Sequence, residues 1–132
     1  MVWKLVNEAF ACLPVAAIID DKVFCTHGGV PRRVEQTQDI YKEIMNVKRP
    51  IMKMSELVLE LMWNDPCRGK QQLQSLGKNG CTKWFGPSPR GEGCFVFGQE
   101  ATEFFLKQVG CSHMIRAHEA VEVGFTLQKH GK

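Results

Sequence analysis

Cys25-Thr26-His27-Gly28-Gly29 and Arg116-Ala117-His118-Glu119 are the two stretches from which the architecture and chemistry of this chain can be worked out. Each places a histidine just beyond an apolar, strand-like run. A strand holds its backbone still, so a histidine at its end can aim an imidazole into a cleft. Two imidazoles can ligate one metal ion, because neutral imidazole is the commonest metal-binding side chain. Two ligands alone do not make a catalytic metal site.

The composition limits the classes of protein that need to be considered. The 132 residues fit one domain, or part of a larger one. A hydrophobic content of 44% is normal for a globular protein and argues against disorder. The net charge of +3 comes from scattered basic residues with no basic stripe, so we expect no nucleic-acid partner. The longest apolar run, residues 9–19, contains Pro14 and is too short to span a bilayer, so we expect no membrane association.

The cysteine pattern bears on the compartment. The six cysteines are dispersed along the chain, no Cys-x-x-Cys pair occurs, and no secretory signal opens the sequence. This pattern favours free thiols in a reducing compartment, cytoplasmic or nuclear, over a disulfide scaffold.

The hydrophobic periodicity predicts a mixed order of helices and strands. Such an order indicates an α/β (α+β) layered domain. The stretch over residues 67–92, rich in Gly, Lys, Gln, Ser and Pro, is expected to lack regular structure. The predicted helices cover residues 2–13, 56–62 and 99–109, the predicted strands cover 16–19, 22–26, 95–97, 113–117 and 123–128, and a final turn is expected at His130-Gly131.

Four residues could carry chemistry, and each has a simpler interpretation. His27 could be a turn histidine bonded to backbone, and His118, beside Arg116 and Glu119, an ion-paired surface histidine. Arg90 could grip phosphate through two parallel hydrogen bonds or be a solvated loop charge. Asp65, in Trp63-Asn64-Asp65-Pro66, is more simply explained as a turn residue than as one that orients a catalytic group.

Six pieces of the sequence are spread over nearly the whole chain. They are Trp3 through Leu13-Pro14, Phe24-Cys25-Thr26-His27-Gly28-Gly29-Val30-Pro31, Leu61-Met62-Trp63-Asn64-Asp65-Pro66, Arg90-Gly91 with Phe97-Gly98, Phe105-Leu106, and Ile115-Arg116-Ala117-His118-Glu119 with Gly124-Phe125. In this order they resemble the C-terminal half of the serine/threonine phosphoprotein phosphatases, the calcineurin-like branch of the binuclear metallophosphoesterases. No single piece carries the resemblance.

The resemblance implies a role for each of the four residues. His27 and His118 match two histidine ligands of the same metal ion, Arg90 matches a phosphate-gripping arginine, and Asp65 matches an aspartate near the catalytic cleft. Family members hydrolyse phosphoserine and phosphothreonine monoesters on proteins. They use two metal ions (Mn, Fe or Zn) about 3.5–4 Å apart, bridged by a water or hydroxide that attacks phosphorus in line. The implied partners are a phosphoprotein substrate and, as an open option, regulatory subunits.

Departures from the family pattern indicate an incomplete site. The upstream motifs Gly-Asp-x-His-Gly, Gly-Asp-x-x-Asp-Arg-Gly and Gly-Asn-His-Glu, which supply the other ligands, do not occur, and Phe125 replaces a usual tyrosine. Residues 1–132 are therefore expected to be the C-terminal portion of one catalytic domain. They would form a partial calcineurin-like phosphoesterase fold, a mixed β-sheet sandwich flanked by helices, with an exposed apolar sheet face or edge. The alternative is a catalytically incomplete protein-interaction module derived from that fold.

Overall fold

A computed structural model describes residues 1–128 as a mixed α/β structure, which confirms the predicted fold class. Its helices are α1 Val2–Ala11, α2 Ile40–Met45, α3 Glu56–Trp63, α4 Gly69–Ser75 and α5 Gln99–Val109, and a short 3-10 helix covers Arg32–Glu35. Its strands are β1 Ala16–Ile19, β2 Val23–Thr26, β3 Asp65–Pro66, β4 Phe85–Pro87, β5 Phe95–Phe97 and β6 His113–Arg116.

The first sheet has the strand order β1-β2-β6 and contains both antiparallel and parallel pairs. Asp20 and Asp21 have φ of 51° and 50°, the left-handed conformation that a tight hairpin turn needs, and they join β1 to its antiparallel partner β2. Strand β6 runs parallel to β2, with Thr26 opposite Arg116. Since the carboxyl ends of β2 and β6 lie side by side, the residues that follow them meet at one edge of the sheet.

The second sheet has the strand order β3-β5-β4. Its central strand β5 pairs in parallel with β3, where Asp65 lies opposite Val96, and antiparallel with β4. The amide of Cys67 donates to the carbonyl of Phe97 over 2.8 Å and extends the short β3–β5 pairing. This pairing fixes the backbone of Asp65.

The longest helix, α5, packs its apolar side into a core shared with the first sheet. Phe105 meets Phe24 of β2 in an edge-to-face arrangement, with ring centroids 4.8 Å apart. Gly110 ends α5 in the left-handed conformation, with φ of 71°, which a residue without Cβ adopts at little cost. The core residues are Phe24, Val30, Val34, Ile40, Leu61, Phe85, Phe97, Ala101, Phe105, Val109 and Cys111.

Two apolar surfaces face solvent. Ile19 of β1 is 54% exposed and Ile115 of β6 is 59% exposed, on the side of the first sheet opposite the core. Helix α1 has no buried residue, and its Trp3 and Phe10 are 80% and 62% exposed. The structure therefore has the exposed apolar sheet face expected from the sequence.

Two sequence-based predictions of secondary structure were wrong. Residues 67–92 are not without regular structure, because they form α4 and β4. Residues 123–128 form no strand; Val123, Phe125 and Leu127 are each more than 70% exposed, so no neighbouring strand covers their alternating apolar side. The turn predicted at His130-Gly131 lies outside the described residues.

All six cysteines are free. Within residues 1–128, no helix has the length and apolar character needed to cross a membrane.

Candidate active site

The two histidines meet at the edge where β2 and β6 end. His27 Nε2 lies 3.0 Å from His118 Nδ1, although the residues are 91 positions apart in sequence. The amide of Ala117 donates to the carbonyl of His27 over 3.1 Å, which continues the parallel pairing past the last strand residues. His118 has φ of 65°, a left-handed conformation that is costly for a residue with Cβ and that turns its side chain toward His27.

The surroundings of His118 favour a neutral ring. The indole of Trp63 packs edge-on at 5.1 Å between ring centroids. Burial, and after it the positive charge of Arg90, lowers the pKa of His118. A neutral imidazole is the form that can bind a metal ion.

The separation of the two nitrogens fits a shared metal ion. A Zn–N bond is about 2.0–2.1 Å, so two nitrogens that bind the same ion lie no more than about 4.2 Å apart. The observed 3.0 Å satisfies this limit, and it also fits a direct hydrogen bond between the rings. Within residues 1–128, no group of three or more His, Cys, Asp or Glu side chains could hold a metal ion. By itself, the histidine pair therefore provides too few ligands for a complete metal site.

Arg90 and Asp65 form an ion pair next to the histidines. Arg90 lies in the connection between β4 and β5, and its Nε donates to Asp65 Oδ2. Burial raises the pKa of Asp65, but the hydrogen bonds and charges of Arg90 and Arg116 outweigh that effect, so the pKa of this carboxyl lies below its ordinary value. Asp65 thus carries a negative charge at neutral pH, and the interpretation of it as a simple turn residue does not account for its two arginine partners.

Arg116 was not predicted from the sequence to be a functional residue, yet it connects the parts of the site. Its Nη2 donates to Asp65 Oδ1 over 2.6 Å, its Nε donates to the carbonyl of Gly28 over 2.5 Å, and its Nη1 pairs with Glu119. The sequence contained one indication of this role. Side chains alternate along β6, so Arg116 lies on the same side as Met114, toward the core, and a charged side chain on that side needs partners.

Asn64 is a second residue of the site that was not predicted from the sequence. Its side chain is fully buried, donates to the carbonyl of Val30 over 2.8 Å and accepts from the amide of Phe95 over 2.8 Å. These two bonds tie the end of α3 to β5 and to the segment that follows His27. They hold the neighbouring Asp65 in place.

A cavity of about 270 Å³ opens beside Arg90. Arg68, at the start of the segment wrongly expected to be irregular, donates from Nη2 to Glu119 over 3.1 Å at its rim. The residues that line the cavity are Asp65, Pro66, Arg68, Gln72, Pro89, Arg90 and Glu119.

Comparison with known proteins points to one family. The sequence matches the calcineurin-like phosphoesterase family over residues 1–122. It is 33% identical over 126 residues to the serine/threonine-protein phosphatase BSL2 of Arabidopsis thaliana, in an alignment that covers 94% of this chain and 11% of that protein. Its structure resembles that of a protein serine/threonine phosphatase from Saccharomyces cerevisiae with similarity to human phosphatase PP5. The TM-score is 0.67 at 25% identity, and the match covers 91% of this chain and 32% of the yeast chain.

The chain thus spans about a tenth of the length of the plant protein and about a third of the yeast chain. The family match nevertheless takes in both histidines, Asp65, Arg90 and Arg116. This chain belongs to the calcineurin-like phosphoesterase family.

Proposed function

We propose that this chain supplies part of the active site of a serine/threonine protein phosphatase, which hydrolyses phosphoserine and phosphothreonine monoesters on proteins at a binuclear metal centre. The observation that carries the proposal is the 3.0 Å approach of His27 Nε2 to His118 Nδ1 at the ends of two parallel strands. Arg90, the expected phosphate ligand, lies near enough to this pair that its positive charge lowers the pKa of the His118 ring.

In this proposal His27 and His118 hold one of the two metal ions (Mn, Fe or Zn) through neutral nitrogens. When bound, the ions supply an activated water and neutralise charge on the phosphoryl oxygens. The carboxylate ligands come from outside the described residues. The Nε2 of His118 points away from the metal-facing Nδ1, is buried and has no hydrogen-bond partner within residues 1–128. Buried polar atoms in folded proteins are nearly always paired, so this nitrogen is expected to bond to a group outside the described residues.

Arg90 binds the phosphate of the substrate. Its Nε is occupied by Asp65, whereas its Nη1 and Nη2 make no hydrogen bond to any residue in the described range 1–128. Two terminal nitrogens on one planar group are suited to a phosphate, which accepts two parallel N–H bonds. Among the described residues, Arg68, Arg90 and Arg116 pair with two carboxylates, Asp65 and Glu119, so the linked cluster keeps one net positive charge for an anionic substrate.

A second function, a catalytically incomplete interaction module, is favoured by the exposed apolar surfaces of α1 and the first sheet. Such a module has no use for converging imidazoles. Metal binding by the histidine pair therefore separates the two functions.

The test is a titration of the 132-residue chain with Zn²⁺ and Mn²⁺ by calorimetry. We expect weak binding that His27→Ala and His118→Ala each abolish. His113→Ala is the matched control, because His113 also lies on β6 but its ring is exposed and, within residues 1–128, bonds only to its neighbour Ser112. Equal metal binding by all four proteins would refute the role of the pair.

A phosphatase assay with an aryl phosphate and Mn²⁺ tests the incompleteness of the site. We expect little turnover from the chain alone, because two imidazoles do not compensate the charge of two metal ions. Robust turnover would contradict the partial-site proposal and leave the metal-binding result standing.

A further inference from the structure

We propose that Arg116 is a positioning residue that keeps the terminal nitrogens of Arg90 free by occupying one oxygen of Asp65. The inference rests on the proposed function for what Arg90 binds, but the contacts that support it are independent of that function. It adds to the phosphate-binding arginine a second arginine that orients the first through the carboxylate between them.

Asp65 divides its two oxygens between the two arginines. Oδ2 accepts from Arg90 Nε, and Oδ1 accepts from Arg116 Nη2 over 2.6 Å. An arginine beside an unshared carboxylate often forms two parallel hydrogen bonds and so uses two of its nitrogens. Because Arg116 holds Oδ1, Arg90 is limited to a single bond through Nε.

Arg116 is itself held firmly enough to impose this division. Its side chain is only 15% exposed, against 32% for Arg90. It also donates to the carbonyls of Gly28 and Asn64 and pairs with Glu119. Arg90, by contrast, lies in a loop, and its guanidinium bonds only to Asp65 within residues 1–128. The better-anchored arginine therefore sets the orientation of the carboxylate, and the carboxylate sets that of Arg90.

Removal of Arg116 has a specific consequence. The Asp65 carboxylate becomes free to rotate and to bind Arg90 through both oxygens. One of the two terminal nitrogens of Arg90 is then tied up, and phosphate loses one of its two parallel bonds. A lysine at position 116 is no substitute for the planar fork, since a point-like ammonium does not serve Asp65, Glu119 and Gly28 in the same geometry.

The first experiment needs no ligand. NMR of the arginine side chains in the ¹⁵N-labelled chain reports rotation about the guanidinium bonds and protection of Nε–H. In Arg116→Met we expect slowed rotation and newly resolved Nη signals for Arg90. Arg33→Met is the control, because it removes an arginine from the exposed pair with Glu43. Unchanged Arg90 signals in folded Arg116→Met would overturn the inference, and if that variant does not fold, Arg116→Gln is judged by the same criterion.

The second experiment measures inorganic phosphate binding in a double-mutant cycle of Arg116→Met and Asp65→Asn. Loss of one charge-assisted bond predicts an affinity about 10-fold weaker for Arg116→Met. In the Asp65→Asn background, the same change is expected to cost about 2-fold or less, because the route through the carboxylate is gone. An undiminished loss in that background would mean that Arg116 acts by its charge alone and would overturn the inference. If the unsubstituted chain does not bind phosphate, the proposed role of Arg90 fails, while the ligand-free NMR still decides the role of Arg116.

Discussion

Replacing Gly28 with alanine would drive a methyl group into the carboxyl end of α3. A Cβ atom at this position would lie 2.5 Å from the carbonyl carbon of Met62, 2.6 Å from the amide nitrogen of Trp63 and 2.7 Å from the carbonyl oxygen of Met62. Ordinary contacts begin at 3.4 Å, so the nearest pair must separate by 3.4 − 2.5 = 0.9 Å. These neighbours are backbone atoms, and no side-chain rotation relieves the clash.

The loss of stability in Gly28→Ala can be worked out from the contacts that this backbone shift would break. The amide of Gly28 donates to the carbonyl of Leu61 over 2.8 Å, a bond that closes the same contact. Overpacking that shifts backbone costs about 1–3 kcal/mol, and loss of a hydrogen bond adds about 1 kcal/mol. We therefore expect Gly28→Ala to lower the free energy of unfolding by about 2–4 kcal/mol, a large share of the stability of a small domain.

Urea denaturation followed by circular dichroism measures this change. Gly80→Ala is the control: its φ is +76° and nothing lies within 4 Å of its Cβ position, so only the left-handed backbone, at about 1–2 kcal/mol, opposes alanine. Since Arg116 also bonds to the Gly28 carbonyl, the NMR signals of the Arg116 guanidinium should move in Gly28→Ala and not in the control. A loss below about 1 kcal/mol with unmoved Arg116 signals would refute the reasoning.

Two further predictions concern the exposed surface and the thiols. The chain should self-associate through the exposed apolar side of α1, so Trp3→Lys and Phe10→Lys should each lower its average mass in sedimentation. Glu8→Lys, on the polar side of the helix, is the control and should leave the average mass unchanged. A monodisperse monomer before any substitution would contradict this prediction. At pH 8 the exposed Cys12 should react with a disulfide reagent at least about 10-fold faster than Cys67. The reason is that the thiolate is the attacking form and burial raises the pKa of the Cys67 thiol to about 11. Cys12→Ser should remove the fast phase of the reaction, and persistence of that phase would refute its assignment to Cys12.

Elements with a strong local signal were predictable from the sequence. Ser55, directly before the apolar run of α3, accepts from the amide of Val58 and caps that helix, and Gly110 ends α5. Short strands were harder to find. Asp65 and Pro66 form β3 only because β5 lies beside them, and α4 has no buried residue that would produce an apolar stripe. Patterning records which face of an element is buried, so an element without a buried face leaves little trace.

The candidate site, too, was only partly predictable from the sequence. The sequence alone placed His27 and His118 beyond two strands and drew attention to Arg90, through local pattern and family resemblance. It did not indicate that Asp65 is shared by two arginines, or that Arg116 binds the carbonyl after His27.

Local order along the chain, then, was determined by the sequence itself: a strand followed by histidine and glycine, another followed by histidine and glutamate, and capped helices between them. The tertiary structure decided that β2 and β6 pair in parallel, with Thr26 opposite Arg116, and so brought the two imidazoles together. The physical reason is the distance along the chain over which each interaction acts. Helix caps and hydrophobic periodicity act over a few residues, whereas strand register between segments 90 positions apart is set by how the whole core packs.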